Sequence, residues 1–212
     1  MRAYKAGLPT IAENIAGYTT MLNFNDIIPG GYLKWTPQRW IDAITTAHLT
    51  YYVLDQDSDD TYTFYLENKA LADSMTKVIG YNFKILSAEL KTITDPMATT
   101  STLNMIVKNT GVAPCFFNVF MIAEFVDSAG TALAQLGKTV LIPKKTFKDG
   151  MEKNFSFTYT VPAGEPILAA QSGVSVVLSL YESEEAFKSG KNPTVRFDND
   201  GILENKKLQL KP

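Results

Sequence analysis

Cysteine and histidine are nearly absent from this 212-residue chain, with Cys115 and His48 the sole examples. One cysteine permits no intrachain disulfide, so sulfur leaves the redox compartment open. It also excludes a thiolate metal site, which needs several cysteines, and no metal is expected. One histidine excludes a multi-histidine centre and weighs against a Ser-His-Asp triad. Between Pro114 and Phe116-Phe117, Cys115 reads as a small buried apolar residue. An excess of one charge is lacking too: 20 Lys and Arg oppose 22 Asp and Glu, a net of −2. Lys144-Lys145 and Lys206-Lys207 are isolated pairs that read as solvated turn residues, not a basic footprint, and no nucleic-acid partner is expected. No apolar run approaches the roughly 20 residues that span a bilayer. Residues 1–9 carry slight positive charge without an apolar core, unlike a signal peptide. The chain is therefore expected to be cytoplasmic, or to have its signal upstream. Neither G-x-G-x-x-G nor G-x-x-x-x-G-K occurs, so nucleotide chemistry and a cofactor are not expected.

What the chain does have is enough apolar residue, 45%, to bury a core. It also changes period near Gly80. Before Gly80 apolar residues fall at helical spacing or in short mixed blocks; after it they alternate. In 154–161, Phe155, Phe157, Tyr159 and Val161 share one face, while Asn154, Ser156, Thr158 and Thr160 share the other. Side chains alternate along a strand, so this run has one buried and one wet face. Strand-like runs also cover 81–90, 101–109, 116–126, 132–142, 174–182, 194–197 and 207–210, with turn signals between them. Short strands at this spacing predict a sandwich rather than βαβ units. Phe116-Phe117 and Phe120 suggest a strand apolar on both faces, one of which is expected to meet the N-terminal segment.

That N-terminal segment predicts a short strand over 8–12, a helix from Pro37 to near His48 capped by Thr36, a short strand over 49–54, and a helix from about Leu66 to Ile79. Two lone strands do not make a stable sheet. The segment is expected to pack on the sandwich, on a partner chain, or on a missing part of the same protein.

His48-Leu49-Thr50-Tyr51-Tyr52, followed by a helix and Ile79-Gly80-Tyr81-Asn82-Phe83-Lys84-Ile85, resembles the family of domain of unknown function 4832. Lys108-Asn109-Thr110-Gly111-Val112-Ala113-Pro114 and Val195-Arg196-Phe197-Asp198-Asn199-Asp200-Gly201 fit the same pattern. The resemblance implies an α+β chain: a partial (β/α)-barrel-like segment over 1–79, then an antiparallel immunoglobulin-like β-sandwich over 80–212. It implies a carbohydrate-active, glycoside-hydrolase-like protein with the sandwich as accessory domain, extracellular or at the cell surface. Thr50-Tyr51-Tyr52 departs from the family pattern, in which an Asn soon follows the Tyr. Glu13 then matches an acid at the end of a late barrel strand, and His48 a histidine before the Tyr-containing run. Chemistry in such barrels sits at the C-terminal ends of strands.

Glycoside hydrolysis needs two opposed carboxylates, and Glu13 supplies one at most. Its competing reading is a solvated loop acid; that of His48 is a helix C-terminus bonded to the last carbonyls. Trp35, Trp40, Tyr51 and Tyr52 are candidates for a sugar-stacking platform, against which aromatics at helical spacing more often form core. Asp55-x-Asp57-x-Asp59 opens like a calcium loop, but Asp60 and Leu66 stand where Gly and Glu belong, so it reads as a solvated acidic loop. Two further classes remain beside the carbohydrate-active reading. One is a non-catalytic interaction module of a cell-surface assembly. The other is a free-standing carbohydrate-binding domain, which the small polar outward positions at Ser156 and Thr158 do not favour.

Overall fold

The computed structural model describes residues 9–13, 36–53, 58–142, 150–193, 195–200, 202–203 and 207–210. The chain divides into two compact units: Met1–Tyr81 with Gly111–Phe116, and Asn82–Thr110 with Phe117–Pro212.

The first unit carries strand β1 (Ile11–Glu13), helix α1 (Pro37–Ala47), strand β2 (Tyr51–Val53) and helices α2 (Ser58–Glu67) and α3 (Lys69–Val78). Thr36 starts α1: its backbone is extended and its Oγ1 accepts from the Arg39 N–H at 3.3 Å, with Pro37 in the first turn. That satisfies one of the helix's orphan donors. The apolar stripe of α1 buries Trp40 and Ile44 against Leu49, Phe64, Ala72 and Met75, with Tyr52, Leu71, Val78 and Val112 packed around them. β1 and β2 pair in parallel, Ile11 opposite Tyr51 and Glu13 opposite Val53. No closed barrel occurs among the described residues. The helix expected from about Leu66 to Ile79 is α3, and α2 precedes it where no helix is expected. They break at Asn68, whose backbone leaves helical geometry while its Nδ2 donates to the Phe64 carbonyl. A short amide side chain competes locally for backbone partners, which explains the break. Gly80 ends the unit's helical part at φ 74°. Its N–H donates to the Leu49 carbonyl and its own carbonyl accepts from Ala113. A Cβ there would lie 3.2 Å from the Thr50 carbonyl oxygen, so this turn calls for glycine.

The second unit is two antiparallel sheets. One has the order β3 (Phe83–Thr94), β4 (Ala98–Asn109), β7 (Glu152–Pro162); the other β6 (Ala132–Ile142), β5 (Val119–Val126), β8 (Ser175–Tyr181), β9 (Leu208–Leu210). They pack face to face: Phe125 of β5 meets Tyr159 of β7 edge-on, centroids 5.7 Å apart. Leu103, Met105, Val107, Phe157, Met121, Leu178 and Leu180 fill the core. β7 alternates as its sequence requires, with Phe155, Phe157, Tyr159 and Val161 less exposed than their polar neighbours. β5 is buried on both faces. Its second face has partners within its own unit. Tyr181, paired with Phe120, stacks against Phe187 of the short helix α4 (Glu184–Lys188), and Lys207 Nζ reaches the buried Glu124 at 3.1 Å. The 194–197 run forms single bridges at Val195 and Phe197 rather than a strand.

Candidate functional site

Glu13 is the last residue of β1, at its C-terminal end. The other carboxylates of the first unit whose side chains are described lie on exposed helical positions. Asp42 accepts from Gln38, Asp73 pairs with Lys69, and Glu67 ends α2. None is presented by a strand end.

His48 caps α1 in the left-handed region, φ 50° and ψ 54°, the one non-glycine residue with positive φ among the described residues. Its backbone N–H reaches the Ile44 and Thr45 carbonyls, the role expected of its ring. The ring instead places Nδ1 2.8 Å from the Val112 carbonyl, 64 residues away in sequence. Nδ1 therefore carries the proton and donates, which fixes the tautomer and anchors the returning 111–116 segment. His48→Ala is expected to destabilise the fold by about 1–3 kcal/mol, because the Val112 carbonyl loses its donor and a Cβ remains in left-handed geometry. His48→Gly loses the same bond but relieves the backbone, and is expected to be about 1 kcal/mol milder. Urea denaturation of both variants measures the difference; equal losses would remove the backbone half of this account.

The aromatic candidates separate. Trp40 is 6% exposed, its indole edge-on to Phe64 (4.4 Å, 86°) and Tyr52 (5.0 Å, 72°). It is a core residue, so its ring faces are not open to a sugar. Tyr52 is half-buried beside it; burial pushes its hydroxyl up to about 12, with the neighbouring Trp40 acting in the opposite direction. Tyr51 points the other way and is 56% exposed, next to the exposed Ile11 of β1. Adjacent strand residues face opposite sides, so Tyr51 and Tyr52 do not share a platform. Trp35 lies outside the described residues. In the acidic loop, Asp55 and Asp57 also lie outside them, while Asp59 and Asp60 are already in α2, a helix where a calcium loop would need an open turn. Cys115 is fully buried.

The second unit has polar sites that the sequence reading missed. Asn109, fully buried, accepts the Asn82 N–H through Oδ1 at 3.0 Å. Asn199 makes a reciprocal pair with the Ile85 main chain: Ile85 N–H to Oδ1 at 2.9 Å, and Nδ2 to the Ile85 carbonyl at 3.0 Å. Both asparagines lie in the segments that carry the family resemblance, and both bond main chain. Along one open side of this unit runs a cleft of about 360 Å³ lined by Ala88, Leu90, Leu103, Val174, Val176 and Leu210. Ala169 and Ser175 complete the lining, which contains no titratable side chain.

No family model matches the chain, and no curated protein matches it. Among solved structures, it is similar to a β-glucuronidase from glycoside hydrolase family 2 at 13% identity and TM-score 0.31, over 49% of this chain and 10% of that one. A putative β-galactosidase from Bacteroides fragilis gives 12% identity and TM-score 0.30, over 49% and 14%. A domain of the outer membrane lipoprotein Omp28 from Porphyromonas gingivalis gives 14% and 0.31, over 50% and 81%. The chain thus spans about a tenth of the β-glucuronidase it resembles. Similarity at this level assigns no family. No helix among the described residues is long and apolar enough to cross a membrane.

Proposed function

We propose that this chain is a non-catalytic portion of a glycoside-hydrolase-like, carbohydrate-active protein of the domain of unknown function 4832 type. Its immunoglobulin-like sandwich serves as an accessory domain and a carbohydrate is the ligand of the whole. The observation that supports this reading is the parallel pairing of β1 with β2, with α1 between them in sequence and Glu13 at a strand end. Parallel strands joined through a helix are the unit of β/α folds, and barrel chemistry lies at that end of the strands. Glu13 is one acid of a pair, and a hydrolase needs a second carboxylate opposite it.

The chain alone is expected to release no product from a panel of aryl glycosides and polysaccharides, and Glu13→Gln to behave as the wild type. Turnover by the isolated chain that Glu13→Gln abolishes would overturn the non-catalytic reading. Affinity electrophoresis through gels of the same polysaccharides tests the ligand, with retardation by at least one expected. A second reading, a protein-interaction module of a cell-surface or extracellular assembly, is favoured by one observation: the outer edge of β3, which no described residue pairs with from Ser87 to Thr94. Absence of any retardation would leave that reading standing in place of the first.

A further inference from the structure

The two long sides of the second unit differ. On one side β6 and β7 adjoin across the sheets, where Gly137 lets Phe157 approach closely. On the other side β3, twelve residues long, stands opposite β9, which has three. Among the described residues the outer edge of β3 is occupied only at its start. Asp198 N–H donates to the Phe83 carbonyl, and the Asn199 amide takes both main-chain groups of Ile85. A bulge at Leu86 follows. From Ser87 to Thr94 no described residue pairs with that edge. An antiparallel ladder bonds every second residue to its neighbour, so the alternate residues of this stretch aim N–H and C=O groups outward. The stretch exposes Leu90 (37%) and Ile93 (69%), and Leu90 lines the cleft. A long unpaired edge is a template for another strand.

The sequence of the edge says which strand fits. Around Leu90 it reads Glu89-Leu90-Lys91, with Glu89 and Lys91 on the solvent face, paired to each other at 3.1 Å and both about 60% exposed. If β3 meets its own copy antiparallel with Leu90 opposite Leu90, each Glu89 faces a Lys91 of the other copy and each Lys91 a Glu89. The Leu90 side chains then meet at the mouth of the cleft, and Ile93 lies opposite Ser87. Directly opposed unlike charges stabilise a cross-strand pair, and like charges destabilise it. A register one residue off centre would lose this match.

We infer that β3 is a self-association edge: two copies of the chain pair antiparallel through 87–93 about a two-fold axis at Leu90, joining their three-stranded sheets into one of six strands. The inference does not depend on the carbohydrate reading, since it rests only on β3. Such a contact is isologous, so it closes as a dimer and does not propagate.

Sedimentation equilibrium of the 212-residue chain across micromolar to millimolar concentrations tests this. Wild type is expected to show a monomer–dimer equilibrium. Glu89→Lys and Lys91→Glu each place like charges opposite one another twice per dimer, and each is expected to weaken association roughly tenfold or more. Mixing the two variants restores association, because every lysine at the contact then meets a glutamate. The double swap E89K/K91E in one chain restores it also. Both positions are exposed, so the melting curves of the separate variants are expected to overlay the wild type at concentrations where all are monomeric. A wild type that stays monomeric throughout, or a dimer insensitive to both single reversals, would overturn the inference. Weakening by each single variant without rescue in the mixture or the double swap would overturn it as well.

Discussion

Trp40→Ala is expected to cost about 3–5 kcal/mol of stability, the usual range for removing a buried tryptophan. The ring fills the space between α1 and the elements it packs on, with Phe64 and Tyr52 edge-on to it and Ile44, Leu49 and Met75 in the same cluster. Its described neighbours are held by helices and paired strands, which limits how far they can move to fill the gap. Small domains hold only about 5–15 kcal/mol in total, so the loss is a large share. Far-UV circular dichroism in urea measures it. The informative control is Tyr51→Ala: at 56% exposure it is expected to change stability by about 0.5 kcal/mol or less. The pair of results separates core from surface directly. If Trp40 served a sugar-binding platform instead, Trp40→Ala would leave the melt unchanged and remove polysaccharide retardation. An unchanged melt would therefore reverse the assignment of this residue.

The contrast between those two variants also shows what was legible in the sequence. Period-two alternation marks the faces of β7 correctly, and the same rule separates Tyr51 from Tyr52, although grouping them as one platform overlooked it. Thr36-Pro37 and the spacing of Trp40 and Ile44 locate α1 because capping and amphipathicity are local signals. Ser183 followed by Glu184 and Glu185 was a signal of the same kind for α4: the Ser183 Oγ accepts from the Ala186 N–H, and two acids sit in the first turn. What no local pattern carries is the long-range pairing. The His48 ring finds Val112 across 64 residues, and Asn199 finds Ile85 across 114. Residue type indicates only that each can donate or accept; the fold decides to what. The bulge at Leu86 belongs with these. It adds one residue to β3 and so returns Leu90 to the cleft face, and nothing in the string Ile85-Leu86-Ser87 announces it.

Gly137→Ala is the second large effect, and the size of the group added makes it a sharp test. Gly137 sits within β6, opposite Ala123, at an unexceptional φ, so the backbone would accept any residue. The obstacle is Phe157. A Cβ on residue 137 would stand 2.6 Å from Phe157 Cδ1, 3.0 Å from its Cβ and 3.1 Å from its Cγ. The nearest of these atoms belongs to a ring that is 4% exposed, and the next is fixed to the β7 backbone, so no rotamer change clears the space. One sheet must move from the other. Overpacking of this kind is expected to cost about 1–3 kcal/mol, whereas glycine to alanine in an unobstructed strand would stabilise by roughly 0.5–1 kcal/mol. The sign thus reports the contact. In a Phe157→Gly background, which removes Cβ together with the ring, the obstruction is gone, and adding Gly137→Ala is expected to be neutral or stabilising. The two substitutions are then coupled by about 1–3 kcal/mol in a double-mutant cycle. A Gly137→Ala variant that melts above the wild type would mean that the β6–β7 side is not closed by this contact.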